Sequence, residues 1–162
     1  MKNLILVRHA KSSWKAPLRD IDRPLAKRGI NDAHLVSQVL GPHLPKSFMI
    51  WCSPAKRARE TALIYAQNIS YPIESILFNN ELYTFEESQL EHFVRSVSNE
   101  YENVILFGHN EAITNFVNKF GDTYIENVTT SGFVLLIFDT SDWKNISKGR
   151  TSKIIFPRDL KT

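Results

Sequence analysis

Two apolar runs, each closed by a histidine, limit what this chain can become. Leu4-Ile5-Leu6-Val7 leads into Arg8-His9-Ala10, and Val104-Ile105-Leu106-Phe107 leads into Gly108-His109-Asn110. Unbroken apolar runs of this length describe strands buried on both faces, as in a parallel sheet covered by helices. In such sheets ligands bind outside the carboxyl ends of the strands. His9 and His109 can therefore face one crevice although about a hundred residues separate them.

The rest of the pattern supports that sheet. A first strand is predicted at about 3–8 and a helix at about 27–40, with Leu35, Val36, Val39 and Leu40 on one face and Gly41-Pro42 as the stop. A second strand at about 47–52 leads into a helix predicted to begin at Ser53-Pro54, with Ser53 as N-cap and Pro54 at the first position. A short strand follows near Ile76-Leu77-Phe78. Helical spacing returns at Leu90, Phe93, Val94 and Val97, and again at Ile113, Phe116, Val117 and Phe120, on either side of a strand at 103–108. Phe133–Phe138 and Lys153–Phe156 read as a closing hairpin at the sheet edge, not necessarily parallel. The expected fold is a three-layer α/β/α sandwich with a mostly parallel central sheet, one domain over 1–162. Residues 11–24 show no periodicity. A connection this long after a strand-end histidine is expected to wall the crevice.

Composition narrows the function. A net charge of +3 suits anionic ligands but is too small and too dispersed for nucleic acid, and no Lys/Arg run exceeds two residues. The single cysteine, Cys52, lies in the apolar stretch Met49-Ile50-Trp51-Cys52 and reads as a buried small hydrophobe, not a disulfide partner or reactive thiol. The N-terminal apolar run is short and broken by Arg8, so neither a signal peptide nor a membrane span is expected and the default location is cytoplasmic.

The residues around the crevice suit phosphoryl chemistry. Arginine offers phosphate a planar fork of charge-assisted bonds, and Arg8 and Arg57 are the candidates. Arg57 falls in the first turn of its helix, where free N–H groups and the macrodipole also favour an anion. A neutral imidazole can attack phosphorus and split one displacement into two easier ones. His9 is placed for this by a rigid strand, and neighbouring arginines discourage its protonation. His109 could donate hydrogen bonds to the phosphoryl group, as could the backbone N–H of Asn110 at the start of the next helix. Two histidines beside two arginines make a poor metal site, because the cations repel a dication and no His-x-x-x-His pair is present. No metal and no cofactor is expected.

Three of these segments, Leu6-Val7-Arg8-His9-Ala10, Ser53-Pro54-Ala55-Lys56-Arg57-Ala58 and Gly108-His109-Asn110, resemble the histidine phosphatase (phosphoglycerate mutase-like) superfamily. Asp22-Arg23-Pro24-Leu25 with Gly29 and Thr129-Thr130-Ser131 extend the likeness to its small SixA-type phosphohistidine phosphatases, over about residues 4–132. The resemblance implies that His9 is the phosphorylated nucleophile and that Arg8, Arg57 and His109 complete the phosphate pocket. It also places Glu81, in Asn80-Glu81-Leu82, where larger relatives carry a general acid. Ala10 departs from the glycine common in the superfamily, and the next helix follows Glu81 too soon for a lid insertion, which implies an open site.

An open site admits a phosphorylated side chain of another protein, whereas a lidded one would favour a small metabolite. The expected activity is a metal-independent phosphatase acting on protein phosphohistidine. The alternatives are a broad phosphomonoesterase and a catalytically silent phospho-binding module. The expected partner is a phosphorylated protein or a small phosphomonoester, with no nucleic acid or membrane, and the chain is expected to be a monomer. Glu81 reads either as the acid or as a solvated carboxylate. Arg23 either reaches the crevice or pairs with Asp20 or Asp22 on the surface. Ser12 follows the nucleophile closely enough to touch substrate. Trp14 stacks on substrate or anchors its loop, while Arg59, His34, His43 and His92 read as surface or satisfied residues.

Overall fold

A computed structural model describes residues 1–161. Its centre is a six-stranded sheet: β1 (Lys2–Arg8), β2 (Met49–Cys52), β3 (Leu77–Phe78), β4 (Asn103–Gly108), β5 (Phe133–Phe138) and β6 (Arg150–Ile155), in spatial order β3-β2-β4-β1-β5-β6. The first four strands run parallel, while β5 is antiparallel to both β1 and β6. The mostly parallel sheet and the antiparallel closing pair agree with the pattern of apolar runs.

Period-two alternation sends each strand's side chains to two cores. Leu4, Leu6, Val104, Leu106, Val134 and Leu136 pack under α3 (Glu87–Arg95) and α4 (Ala112–Phe120). Ile5, Val7, Ile105, Phe107, Ile50 and Cys52 pack under α1 (Lys27–Ser37) and α2 (Lys56–Asn68). Each such aliphatic side chain removed from water contributes about 1.5–3 kcal/mol. That is why β1 and β4 carry no polar residue between Asn3 and Arg8 or between Asn103 and Gly108. A short α5 (Pro157–Leu160) lies against α1.

The boundaries differ from the expected ones in instructive places. α2 starts at Lys56 with Ala55 as its N-cap. Ser53 is not the cap; its Oγ accepts from Ala55 N–H at 3.2 Å in the turn before the helix, and Arg57 still falls in the first turn. α1 ends at Ser37, although Leu40 remains buried in the turn beyond. α3 ends at Arg95, before Val97. β6 begins at Arg150, three residues earlier than expected, because its outer positions are polar and exposed on an edge. Among the described residues, no helix is long and apolar enough to cross a membrane.

Two features of this fold shape the crevice. Parallel pairing sets Arg8 opposite Gly108, so His9 and His109 leave adjacent strands side by side, with His9 N–H donating to Gly108 C=O at 3.1 Å. The segment after His9 is a loop pinned at its base. Ser13 N–H donates to Pro24 C=O and Ala26 N–H to Lys11 C=O, and Ser12 bridges Leu25. Gly29 of α1 is pressed on this base: a Cβ there would lie 2.1 Å from the Lys11 carbonyl oxygen.

Candidate active site

His9 and His109 meet with ring centroids 5.2 Å apart. Both are buried, and each ring is held by a different kind of partner. Nδ1 of His9 lies 2.7 Å from its neighbour's carbonyl, Ala10 C=O. A carbonyl only accepts, so Nδ1 carries the proton and Nε2 keeps its lone pair. Arg57 Nε–H donates to that lone pair at 3.3 Å. Thr61 Oγ1, bonded in turn to Arg57 C=O, accepts from Ala10 N–H at 2.9 Å and fixes the backbone next to His9.

His109 Nε2 lies 2.8 Å from Ser53 Oγ. Because Ser53 Oγ already accepts from Ala55 N–H, its own hydrogen is free to donate to Nε2. With Ser53 as donor, His109 carries its proton on Nδ1, a buried nitrogen with no partner among the described residues. The rings of Tyr83 and Phe85 pack edge-on against His109 at 5.4 and 5.5 Å.

Burial first, and then the neighbouring arginine charges, push the His9 pKa from 6.5 to about 4. The bond to Ala10 opposes this without reversing it. Burial, His9 and Arg57 push His109 further down, to about 2. Both imidazoles are therefore neutral at pH 7.

Three arginines surround the pair. Arg57 is 2% exposed, and its Nη1 and Nη2 donate to the backbone oxygen and carboxylate of Asp20 at 2.7 and 2.9 Å. Arg8 Nη1 donates to Val128 C=O at 2.9 Å while its Nε is buried without a partner. Arg23 lies under the ring of Trp14 at 3.5 Å and reaches Asp20 at 3.4 Å; its Nε and Nη1 also lack partners. Unpartnered buried donors are costly unless something fills the space they face. Here they belong to arginines beside a histidine pair, and an anion is the fitting occupant. Arg23 thus points inward from the loop and not to a surface pair alone, and Trp14 anchors it from a 74% exposed position.

Glu81, the Asn110 side chain and Ser12 make other contacts. Glu81 is exposed on a short 3-10 turn (Asn80–Leu82) and lines a separate depression with Asn80, Tyr83, Ser88, Gln89 and His92. Among the described residues its carboxylate has no hydrogen bond or ion pair to His9, His109 or an arginine, although Tyr83 at the rim of that depression packs on His109. Asn110 stands two residues before α4, and its side chain is consumed by capping. Oδ1 accepts from Thr114 N–H and Oγ1–H, and Nδ2 donates to Asn127. Ser12 is buried in the bridge that closes the loop. Among the described residues, no three His, Cys, Asp or Glu side chains cluster as a metal-binding group.

Asp20 is the carboxylate that the structure does bring to the cluster. Its Oδ2 accepts from Tyr83 O–H at 2.5 Å as well as from Arg57. Burial would raise its pKa, but those two bonds and the charges of Arg57 and Arg23 prevail and hold it below the usual carboxylate range. In the sequence Asp20 stands out only as one of two surface partners, with Asp22, that Arg23 has if it does not reach the crevice. The i, i+3 spacing to Arg23 in an aperiodic loop is its local signal. Tyr83 and the Ser53 hydroxyl were missed as site residues because their roles depend on tertiary approach.

A profile of the histidine phosphatase superfamily (branch 1) matches residues 4–82. An uncharacterized chloroplastic protein of Arabidopsis thaliana is 30% identical over 151 residues, covering 86% of this chain and 68% of that protein. An uncharacterized protein of Mycobacterium tuberculosis is 47% identical over 55 residues, covering 34% of this chain and 35% of that relative, so the chain matches about a third of its length. Among solved structures, the protein histidine phosphatase SixA complexed with tungstate aligns with a TM-score of 0.82 at 20% identity, over 98% of this chain and 99% of the other. A mycobacterial glucosyl-3-phosphoglycerate phosphatase aligns at 0.66 and 14% identity, over 96% and 98%. Fold and sequence agree: the chain belongs to the histidine phosphatase superfamily.

Proposed function

We propose that this chain is a phosphatase working through a phosphoryl-His9 intermediate, with protein phosphohistidine as its substrate. The observation that carries the reading is the state of His9: neutral, its Nδ1–H tied to a backbone carbonyl, its Nε2 lone pair facing the guanidinium of Arg57. In the first step Nε2 attacks phosphorus and the substrate imidazole leaves. His9 then carries phosphate on Nε2 and hydrogen on Nδ1, a phosphoimidazolium. In the second step water attacks phosphorus, and His9 departs as the neutral imidazole it was before, needing no added proton. Arg57, Arg8, Arg23 and His109 Nδ1–H supply donors to the phosphoryl oxygens in both steps.

The leaving group favours phosphohistidine over a phosphomonoester. An alkoxide needs a general acid. Glu81 stands outside the cluster, and Asp20 is held ionised. An imidazole already protonated on its other nitrogen leaves without one. The likeness in fold to SixA agrees with this reading. Three arginines next to the reacting atoms would also repel a divalent cation, which fits a metal-independent step.

The test is phosphate release from a phosphohistidine-bearing phosphotransfer domain, with chelator present, by wild type, His9→Ala and Glu81→Gln. Release by wild type and Glu81→Gln but not by His9→Ala is expected. No release by wild type contradicts the substrate, and p-nitrophenyl phosphate hydrolysis that Glu81→Gln abolishes would favour the phosphomonoesterase.

A further inference from the structure

We infer that Asp20 is a positioning residue, clamping one edge of the Arg57 guanidinium so that the other edge faces the phosphoryl group on His9. The inference rests on the phosphoryl-transfer reading above.

A guanidinium is planar and presents two donor edges: the end formed by Nη1 and Nη2, and the side formed by Nε–H and the near hydrogen of Nη2. Asp20 takes the end edge, with its backbone oxygen on Nη1 at 2.7 Å and its carboxylate on Nη2 at 2.9 Å. His9 Nε2 takes the side edge, through Nε at 3.3 Å. Three of the five N–H groups are then engaged. The free hydrogen of Nη2 lies on the same edge as Nε–H. When phosphorus binds Nε2, the oxygens meet two parallel donors already aimed at them.

Asp20 is itself fixed from several directions. Tyr83 O–H donates to Oδ2 at 2.5 Å, and Arg23 approaches Oδ1 at 3.4 Å. The 3-10 turn Asp20–Asp22 that carries it sits on the loop pinned at Ser13–Pro24 and Lys11–Ala26. A long, flexible arginine side chain loses much rotamer freedom when its guanidinium is fixed. Held by Asp20, Arg57 has lost it before substrate arrives, and the same arrangement leaves Arg23 with two unpartnered N–H-bearing nitrogens for the ligand.

A carboxylate on a phosphate-binding arginine could instead act as a latch that phosphate must displace. The edges distinguish the two roles. Because Asp20 and His9 bind different edges, a phosphoryl group on His9 and the Asp20 clamp coexist. A latch would have to occupy the side edge.

Wild type, Asp20→Ala, Asp20→Asn and Tyr83→Phe separate these roles by two readouts: tungstate affinity by calorimetry, and the rate of His9 phosphorylation by phosphoramidate. Misplacing a catalytic group by about 1 Å costs on the order of 100-fold in rate. Asp20→Ala is expected to slow phosphorylation about 10- to 100-fold and to weaken tungstate binding. Asp20→Asn keeps an acceptor for Nη2 and is expected to recover most of the rate, which a purely structural role for the charge would not predict. Tyr83→Phe, which removes one donor to Asp20, is expected to show a smaller loss of the same kind if Asp20→Ala fails to fold. Tighter tungstate binding or unchanged phosphorylation in Asp20→Ala and Tyr83→Phe overturns the inference. If wild type binds tungstate but forms no phosphohistidine, the phosphatase reading fails, and the order of tungstate affinities still decides the role of Asp20.

Discussion

The buried histidine pair predicts a specific acid sensitivity. An unfolded histidine titrates near 6.5, whereas folded His9 titrates at about 4 and His109 lower still. Between those values the unfolded chain binds protons that the folded chain refuses, so unfolding takes up protons and stability falls as pH falls. Each such group costs up to about 1.4 kcal/mol per pH unit below 6.5. From pH 7 to pH 5 this gives about 2 kcal/mol per histidine, or about 4 kcal/mol for the pair. The contribution of His9 levels off below about pH 4, where the folded form also protonates. Urea unfolding followed by tryptophan fluorescence at several pH values measures it. The comparison is wild type against the His9→Gln/His109→Gln double variant, in which every other titrating group remains. The variant should lose about 4 kcal/mol less than wild type between pH 7 and pH 5. Equal losses would refute the claim that these imidazoles are held neutral by burial.

Other perturbations probe the scaffold of the site. Gly29→Ala places a Cβ 2.1 Å from the Lys11 carbonyl and should cost about 1–3 kcal/mol in urea unfolding, together with weakened tungstate binding as the loop base shifts. Ser53→Ala removes the partner of His109 Nε2 and should cost about 1–2 kcal/mol, with a larger fall in turnover than in substrate affinity.

The layout of the fold was legible because burial dictates it. Continuous apolar runs marked β1 and β4, and their parallel pairing brings His9 beside His109 with no further information. The antiparallel edge was visible in Phe133–Phe138 and the polar strand after it. Element ends were less legible. Ser53-Pro54 has the chemistry of a helix start, yet the chain turns once more before Lys56, because the Ser53 hydroxyl serves His109 as well as Ala55. Glu81 and Asp20 show the deeper limit. Both are carboxylates in aperiodic segments, and which one meets Arg57 depends on how a pinned loop folds over the sheet. Local spacing carries no record of that approach. Tyr83, two residues beyond Glu81, delivers the contact from that segment to Asp20 through its hydroxyl.

The most direct test of the phosphoenzyme is to trap it. Wild type would be mixed with phosphoramidate, quenched in alkali and examined by mass spectrometry of the peptide containing His9. The account predicts an acid-labile, alkali-stable phosphoryl group on His9, absent in His9→Ala. Phosphate release with no label on His9, or a label on another residue, would contradict it.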